Sequence, residues 1–301
     1  MVEPILIRSC LPAELPALIA LLDEEFIVSK GRSLSLAQRF PAVLQPGNCA
    51  DILLACRGAV ISACVVVKRF DWITPERTWR GAIIGMVYTR PAERGSGLAS
   101  ELLRAAEQIL RADGTDFAVL WTTQPEIYRR LGWVAADCGV FGTWSGGGGA
   151  ASAGVDGGRA MAGCAPASVG AVESLRGSGT DGRTARGSAS YLALPLPAER
   201  LQLLASPCGK AYAICGERAD QAYVYEFGGT PSAFAALWEE ISAVHSTVYI
   251  NDRRGSASQL WLASLPSIKW RDQGLAMWQA LAEPACERHF PDWYVPYLDR
   301  I

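Results

Sequence analysis

The order of apolar and polar positions divides this chain into two stretches with globular patterning and a segment between them that has hardly any large apolar residue. In the first stretch, apolar residues recur at helical spacing over 12–28 and 98–112, and the run 81–89 is apolar and partly β-branched. This stretch is predicted to form strands at 5–8, 51–56, 59–68, 81–89, 116–122 and 133–144, and helices at 12–28, 33–44, 98–112 and 125–131. Strands and helices in this order predict an α/β fold.

The middle segment, 145–190, consists mainly of Gly, Ala, Ser and Thr. Such a composition cannot bury enough apolar surface to offset its ordering entropy, which predicts a linker or a long mobile loop. Globular patterning resumes at Tyr191, with predicted strands at 211–216, 222–227 and 247–251 and predicted helices at 231–244 and 257–265. We therefore predict one domain at 1–144 and a second, smaller α/β domain at 191–301.

Composition and charge exclude several classes of function. Half of the residues are apolar and 19% are charged, as in a soluble globular protein, and the net charge of −2 provides no basic field for nucleic acid. No apolar run reaches the length of a membrane helix and the N-terminus lacks a signal-peptide layout, so we predict a cytoplasmic protein without membrane contact. The nine cysteines lack C-x-x-C spacing and are predicted to be reduced, and the distant His245 and His289 give little support to a metal site.

The strongest candidate for chemistry is the turn between the strand at 81–89 and the helix at 98–112. A helix that begins there leaves unpaired N–H groups pointing at one spot, with the positive end of the helix dipole behind them. Gly95 and Gly97 remove side chains that would block a phosphate, and Arg94 adds a fork of donors. The alternative is an ordinary glycine-bearing loop capped by Ser96. The predicted phosphate-binding residues are Arg94, Gly95, Ser96, Gly97, Leu98 and Ala99.

This turn resembles the pyrophosphate loop of the GNAT N-acetyltransferase superfamily, whose pattern is Arg/Gln-x-x-Gly-x-Gly/Ala. Arg94, Gly97 and Ala99 fill the three defining positions. About 30 residues further on, Ile127 to Trp133 resembles the family segment Phe-Tyr-x-x-Leu-Gly-Phe. The resemblance implies that 1–144 folds as a GNAT domain, with a mixed sheet that splays open to admit the pantetheine arm of acetyl-CoA.

The second half repeats the element order of the first, so the chain resembles tandem GNAT proteins in which one half is degenerate. At the place of the phosphate loop it has Phe227 to Pro231, which lacks an arginine and loses an amide donor at the proline. We therefore predict that the second half binds coenzyme A less tightly or not at all, and that each chain binds one acetyl-CoA through residues 1–144.

The chemistry implied by the resemblance is the transfer of an acetyl group from acetyl-CoA to an amine, which we expect to be the primary amine of a small molecule. The strand edge at Val87, Tyr88 and Thr89 would pair with the pantetheine amides, and a backbone N–H there would polarise the thioester carbonyl. Tyr128 stands at the position of the family's frequent general acid and would protonate the departing thiolate. The alternative for Tyr128 is a packing aromatic with a solvated hydroxyl.

The general base is open at this point. Asp71, Glu76, Glu24 and Glu25 are candidates, each of which is otherwise a solvated surface carboxylate, and the family often uses water alone. Asp71 and Trp72 are expected near the acceptor cleft, with Trp79 on the neighbouring strand, although both tryptophans suit a core equally.

The aromatic run 289–297 could form a wall of an acceptor pocket between the halves, but packing against the open sheet of the second half is the favoured interpretation. Two other functions remain open. One is a protein acetyltransferase acting on lysine or on an N-terminus. The other is a non-catalytic coenzyme A binder whose second half serves regulation or dimerisation, so that a homodimer is also open.

Overall fold

The computed structural model describes residues 3–146, 165–177 and 182–301. Its helices are α1 (Leu15–Phe26), α2 (Leu36–Arg39), α3 (Leu98–Ala112), α4 (Pro125–Arg129), α5 (Val169–Gly177), α6 (Phe234–Val244) and α7 (Ala257–Ala263). Its strands are β1 (Ile5–Ser9), β2 (Ile52–Arg57), β3 (Val60–Ile73), β4 (Thr78–Thr89), β5 (Phe117–Trp121), β6 (Val134–Ala135), β7 (Gly139–Ser145), β8 (Ala165–Pro166), β9 (Arg183–Thr184), β10 (Arg200–Ala205), β11 (Ala211–Arg218), β12 (Gln221–Gly229), β13 (Thr247–Arg253), β14 (Ile268–Asp272) and β15 (Ala276–Ala280). The described residues contain no helix long and apolar enough to cross a membrane.

Two mixed sheets organise the molecule, which confirms the predicted α/β class. The first sheet has the order β1-β2-β3-β4-β5-β15-β6, with β9 added to β3, and the second has the order β14-β7-β13-β12-β11-β10-β8. In each sheet one pair is parallel, β4 with β5 and β12 with β13, while the other pairs are antiparallel. The apolar face of α3 packs on the first sheet and that of α6 packs on the second.

Each sheet contains one strand from the other half of the chain. Strand β7 lies between β13 and β14, and β15 lies between β5 and β6. The carboxylate of Asp137 holds the crossing, since it accepts the N–H groups of Gly139 at 2.8 Å, Leu275 at 2.8 Å and Ala276 at 3.0 Å. The sequence predicted one strand over 133–144 in the first sheet. That prediction was wrong, because the segment breaks at 136–138 and β7 pairs in the second sheet.

The aromatic run near the end of the chain packs on the first sheet. Phe290, Trp293 and Val295 are buried in a cluster with Phe117 of β5 and Trp278 of β15. The run forms core, as the favoured prediction stated. That prediction placed it against the sheet of the second half and was wrong on this point, because the run covers the first sheet. The exchanged strand β15 is the reason, since it brings the second half of the chain onto the first sheet.

Ordered elements also lie inside the predicted linker. Helix α5 buries Val172 and Arg176, and β9 pairs with β3. The rest of the predicted linker, 147–164 and 178–181, lies outside the described residues.

In the first half, the helix predicted at 33–44 ends at Arg39, because the residue that precedes Pro41 is disfavoured in helical geometry. The division into domains at 144 and 191 remains a prediction.

A buried ion network connects the two halves. Arg186 donates to Asp299 and to Glu226 at 2.7 Å each, and Arg176 donates to Glu226 at 2.7 Å. Lys68 of β3 donates to the main-chain oxygen of Asp299 at 2.6 Å. The neighbouring Arg186 holds the pKa of Asp299 well below its usual range, so this carboxyl is ionised inside the protein. The network thereby holds together β3 of the first sheet, β12 of the second sheet, the segment after α5 and the end of the chain.

Candidate active site

A cleft of about 650 Å³ opens where β4 and β5 separate; we call it the first cleft. The parallel ladder between these strands covers only Gly81 to Ile83 on β4 and Phe117 to Val119 on β5. Beyond it the two strands diverge, and the cleft lies between Val87, Tyr88 and Thr89 on one wall and residues 122–128 on the other. The splayed sheet expected from the GNAT resemblance is therefore present.

An irregularity in β4 lies at the point where the strands part. The register between β3 and β4 shifts between Cys64 and Val66, and Met86 on β4 has a φ of 47°, which is unusual for a residue other than glycine. A bulge of this kind bends a strand and increases its local twist. The following residues of β4 therefore leave β5 and present an edge to the cleft.

The turn after β4 supplies a cradle of unbonded amides. Helix α3 begins at Leu98 with Gly97 as its N-cap and no capping side chain. In the part of the chain that the structure describes, the N–H groups of five residues have no acceptor, and these residues are Gly95, Gly97, Leu98, Ala99 and Ser100. All five line the first cleft. Free amides at the positive end of a helix are an arrangement that favours anions.

The two glycines of the turn have conformations that other residues rarely adopt. Gly95 has a φ of +83° and Gly97 a φ of +91°, and a Cβ added at either position would meet nothing within 4 Å. The space above both residues is therefore open. Ser96 differs from its neighbours, since its N–H and its hydroxyl both donate to the carbonyl of Glu93. The alternative of a loop capped by Ser96 was wrong, because the N-cap is Gly97.

Arg94 stabilises the turn through hydrogen bonds to Thr89 and Glu25. Its Nε donates to the carbonyl of Thr89 at 3.1 Å, and its Nη2 lies 3.1 Å from both carboxylate oxygens of Glu25 on α1. Glu25 also lines the first cleft. Arg94 thus connects the end of β4 to α1, and the pair is partly exposed to solvent.

Tyr128 lies on the opposite wall. Helix α4 begins at Pro125, and the half-buried ring of Tyr128 packs edge-on against Trp133 with the ring centres 6.2 Å apart. Its hydroxyl makes no hydrogen bond to any residue that the structure describes. Burial raises the pKa of Tyr128, so the hydroxyl holds its proton at neutral pH.

The structure brings together only some of the residues expected near the acceptor. Of the four candidate bases Glu25 alone lines the first cleft, while Glu24, Asp71 and Glu76 are exposed elsewhere. Trp72 and Trp79 form a cross-strand pair buried in the aromatic cluster, so they are core rather than part of this cleft. Some lining residues on both walls were not predicted from the sequence, among them Phe26, Thr122, Thr123 and Gln124. Three of these directly follow β5, a position that could have indicated them.

The second half contains a corresponding cleft of about 340 Å³, which we call the second cleft. The β12–β13 ladder covers Gln221 to Val224 and Thr247 to Ile250, after which the strands diverge. The turn that follows β12 lacks the cradle, because Pro231 has no N–H and Thr230 and Ala233 donate theirs to backbone carbonyls.

Across the described ranges, no group of three or more His, Cys, Asp or Glu side chains could hold a metal ion.

Comparisons with known proteins agree with this geometry. Residues 7–136 match the family described as acetyltransferase (GNAT) domain. A GCN5-related N-acetyltransferase from Kribbella flavida is 16% identical, with a TM-score of 0.66 over 95% of this chain and 73% of that one. A probable N-acyltransferase from Enterococcus faecalis is 13% identical, with a TM-score of 0.69 over 94% and 74%. A GCN5-related N-acetyltransferase from Anabaena variabilis is 15% identical, with a TM-score of 0.68 over 92% and 73%.

At these identities the solved structures show the fold, and they show it over both halves of the chain. A search of curated proteins found no match to the sequence.

Proposed function

We propose that this chain, whose residues 7–136 belong to the GNAT acetyltransferase family, transfers an acetyl group from acetyl-CoA to the primary amine of a small molecule. One observation carries the proposal: the unbonded amides after β4, the open edge of β4 and the hydroxyl of Tyr128 all line the first cleft. Such a transfer needs a group that holds phosphates, a strand edge that pairs with an extended amide chain, and a proton donor.

The first cleft fits the coenzyme on the chemistry of its own residues. The amides of Gly95, Gly97, Leu98, Ala99 and Ser100 lack acceptors, and the open space above the two glycines lets phosphate oxygens reach them. Val87, Tyr88 and Thr89 offer the β4 edge that would pair with the pantetheine amides. When bound, acetyl-CoA supplies the acetyl group as a thioester. Among the predicted phosphate-binding residues, Ser96 would serve through its bonds within the turn rather than by direct contact.

The residues of the cleft then divide the remaining work. A backbone N–H on the open edge of β4 would stabilise negative charge on the reacting carbonyl oxygen. Tyr128 would give its proton to the departing thiolate. Its hydroxyl makes no hydrogen bond to a described residue, and its raised pKa keeps the proton in place at neutral pH.

Glu25 would draw the substrate ammonium into the cleft. It is the one predicted carboxylate that lines the site, and Arg94 fixes its position. Water would accept the proton that the ammonium must lose before its nitrogen can attack the carbonyl carbon. The carboxylate would stabilise the positive charge that the nitrogen regains as it forms the new bond, until a second proton passes to water.

The test is a calorimetric titration of the full chain with acetyl-CoA, followed by a screen of small amines for release of the coenzyme thiol. We expect one acetyl-CoA per chain and thiol release that requires an amine. Gly97→Asp is the matched control, since it places a negative charge and a strained φ at the phosphate cradle without altering Tyr128.

Each alternative has its own outcome in the same experiment. Thiol release only with lysine-containing or N-terminal peptides would replace the small-molecule substrate with a protein. Tight acetyl-CoA binding without thiol release for any amine would indicate a non-catalytic binder.

A further inference from the structure

The second cleft keeps the shape of the first cleft but has different chemistry. It lies between the end of β12 and the residues that follow β13, as the first cleft lies between the end of β4 and the residues that follow β5. The segment 292–296 and Trp72 of β3 add a further wall. Because the described turn after β12 offers no comparable row of free amides, the side chains that line this cleft contribute more to its chemistry.

Asp252 is a buried carboxyl in this cleft, and its hydrogen bonds within the described residues all come from neutral groups. It accepts the hydroxyls of Ser256 at 2.8 Å and Ser258 at 2.7 Å and the N–H of Arg253 at 2.7 Å. Burial raises its pKa to about 6, and the nearby Glu226 adds to this rise. A buried carboxylate without a cation is costly, so a positive group brought into the cleft would gain a partner.

Of the other two carboxylates of the second cleft, Asp292 is exposed and Glu226 is already satisfied. Glu226 accepts from Arg176 and Arg186 at 2.7 Å and from the hydroxyl of Tyr212 at 2.6 Å. The charge of Arg176 is in turn balanced by Glu226 and Glu173. Asp252 is therefore the buried carboxyl of this cleft that has no cation partner among the described residues.

Two further polar groups at this cleft have no partner. Trp72 is 2% exposed and its indole N–H reaches no acceptor in the described residues. A Cβ at Gly182, which also lines the cleft, would lie 2.7 Å from this nitrogen. The hydroxyl of Tyr294 is likewise buried and unbonded within the described ranges. An indole N–H can only donate, so Trp72 requires an oxygen acceptor.

We propose that the second cleft binds a small organic ammonium compound that also carries a hydroxyl or carbonyl oxygen. The ammonium would pair with Asp252, and the oxygen would bond to Trp72 and Tyr294. Phe227, Phe234 and Trp293 provide apolar walls for the carbon skeleton between the two groups. The site shares no lining residue with the first cleft, so this inference does not depend on the proposed transferase activity.

The test uses the full chain without acetyl-CoA and two matched probes. The first is trans-4-aminocyclohexanol, and the second is trans-cyclohexane-1,4-diol, in which a hydroxyl replaces the ammonium. Saturation-transfer NMR titrations should show binding of the amino alcohol and at least tenfold weaker binding of the diol. An excess of coenzyme A, which has no acetyl group to transfer, or the variant Gly97→Asp, should leave the affinity for the amino alcohol unchanged, which separates this site from the first cleft.

Two variants locate the site. Asp252→Asn should weaken the amino alcohol tenfold or more, because it keeps the shape of the side chain and removes the charge. Tyr294→Phe should weaken the amino alcohol severalfold but leave cyclohexylamine, which has no oxygen, unchanged. The second variant does not alter Asp252, so it tests the site even if Asp252→Asn fails to fold. Equal binding of the two cyclohexane probes, absence of amino alcohol binding, or binding unaffected by either variant would overturn the proposal.

Discussion

The first and second clefts arise from the same separation of two parallel strands, yet within the described residues only the first has a row of backbone N–H groups without acceptors. In the first, Gly95 and Gly97 shape a turn in which the N–H groups of both glycines have no acceptor among the described residues. In the second, Pro231 and two internally bonded amides occupy the corresponding turn, while a buried carboxyl faces the space. The fold therefore provides the cleft, and a few residues at the strand ends decide what the cleft can bind.

The largest expected effect comes from separating the two halves. A fragment of residues 1–146 lacks β15, so β5 loses its neighbour and the buried side chains of Phe117 and Val119 lose the cover of Trp278. We expect this fragment to show no cooperative thermal unfolding by circular dichroism and no acetyl-CoA binding. Co-expression with residues 165–301 is the control and should restore both. A fragment that folds and binds alone would show that the exchanged strand is dispensable.

Loss of the Tyr128 hydroxyl should have the next largest effect, and it should be confined to turnover. Tyr128→Phe keeps the ring against Trp133 and removes the proton, so kcat should fall by about 10²–10⁴-fold while the acetyl-CoA Kd stays within about twofold. The matched control is Tyr294→Phe in the second cleft, which should leave kcat unchanged. A wild-type kcat in Tyr128→Phe would place the acid elsewhere.

The pH dependence adds a check on the same residue. Because the pKa of Tyr128 is raised above the usual value of about 10, its proton is present throughout neutral pH and is lost only as pH rises above that value. Wild-type kcat should show no decline due to Tyr128 below about pH 10, and the decline above it should be absent from Tyr128→Phe.

Changes in the phosphate turn should act on coenzyme affinity. Arg94→Ala removes the brace to Thr89 and Glu25, and Gly97→Asp adds strain and a negative charge where phosphate would bind. Each should weaken acetyl-CoA about tenfold or more by calorimetry, as expected for the loss of about 1.5–3 kcal/mol per charged hydrogen bond. Tyr294→Phe should not change this affinity. A stoichiometry of two per chain would contradict the difference between the clefts.

The smallest effect is expected at Glu25. Its ion pair with Arg94 is partly exposed, and exposed pairs contribute roughly 0.2–1 kcal/mol. Glu25→Gln should therefore raise the amine KM by no more than about fivefold and leave the acetyl-CoA Kd nearly unchanged, and Glu24→Gln, outside the cleft, is the control. If turnover by Glu25→Gln instead drops about a hundredfold or more, the scale of general acid–base catalysis, Glu25 is the base itself.

The sequence predicted those parts of the first cleft whose structure is determined by residues close to them along the chain. Helix α3 and the turn before it follow from the glycine spacing and the helical period that starts at Leu98. The same holds for α4, whose start at Pro125 places Tyr128 on the wall.

Features that depend on distant segments were missed. Nothing within β7 or β15 specifies that the two strands exchange sheets, because each pairs with residues more than a hundred positions away. The second cleft combines Trp72, Asp252 and Tyr294 from three separated segments, and no local pattern connects them. Trp72 shows the same limit, since its burial depends on Trp293 rather than on its own strand.

The exchange of β7 and β15 also fixes the order of events during synthesis. The first sheet cannot be completed until residues 276–280 have left the ribosome, roughly 140 residues after β6. At about 5–20 residues per second, the edge of β5 therefore waits on the order of ten seconds for its partner. During that interval the nascent first half exposes an unpaired, apolar strand, so its folding in the cell should depend on chaperone protection more than that of a GNAT domain that completes its own sheet.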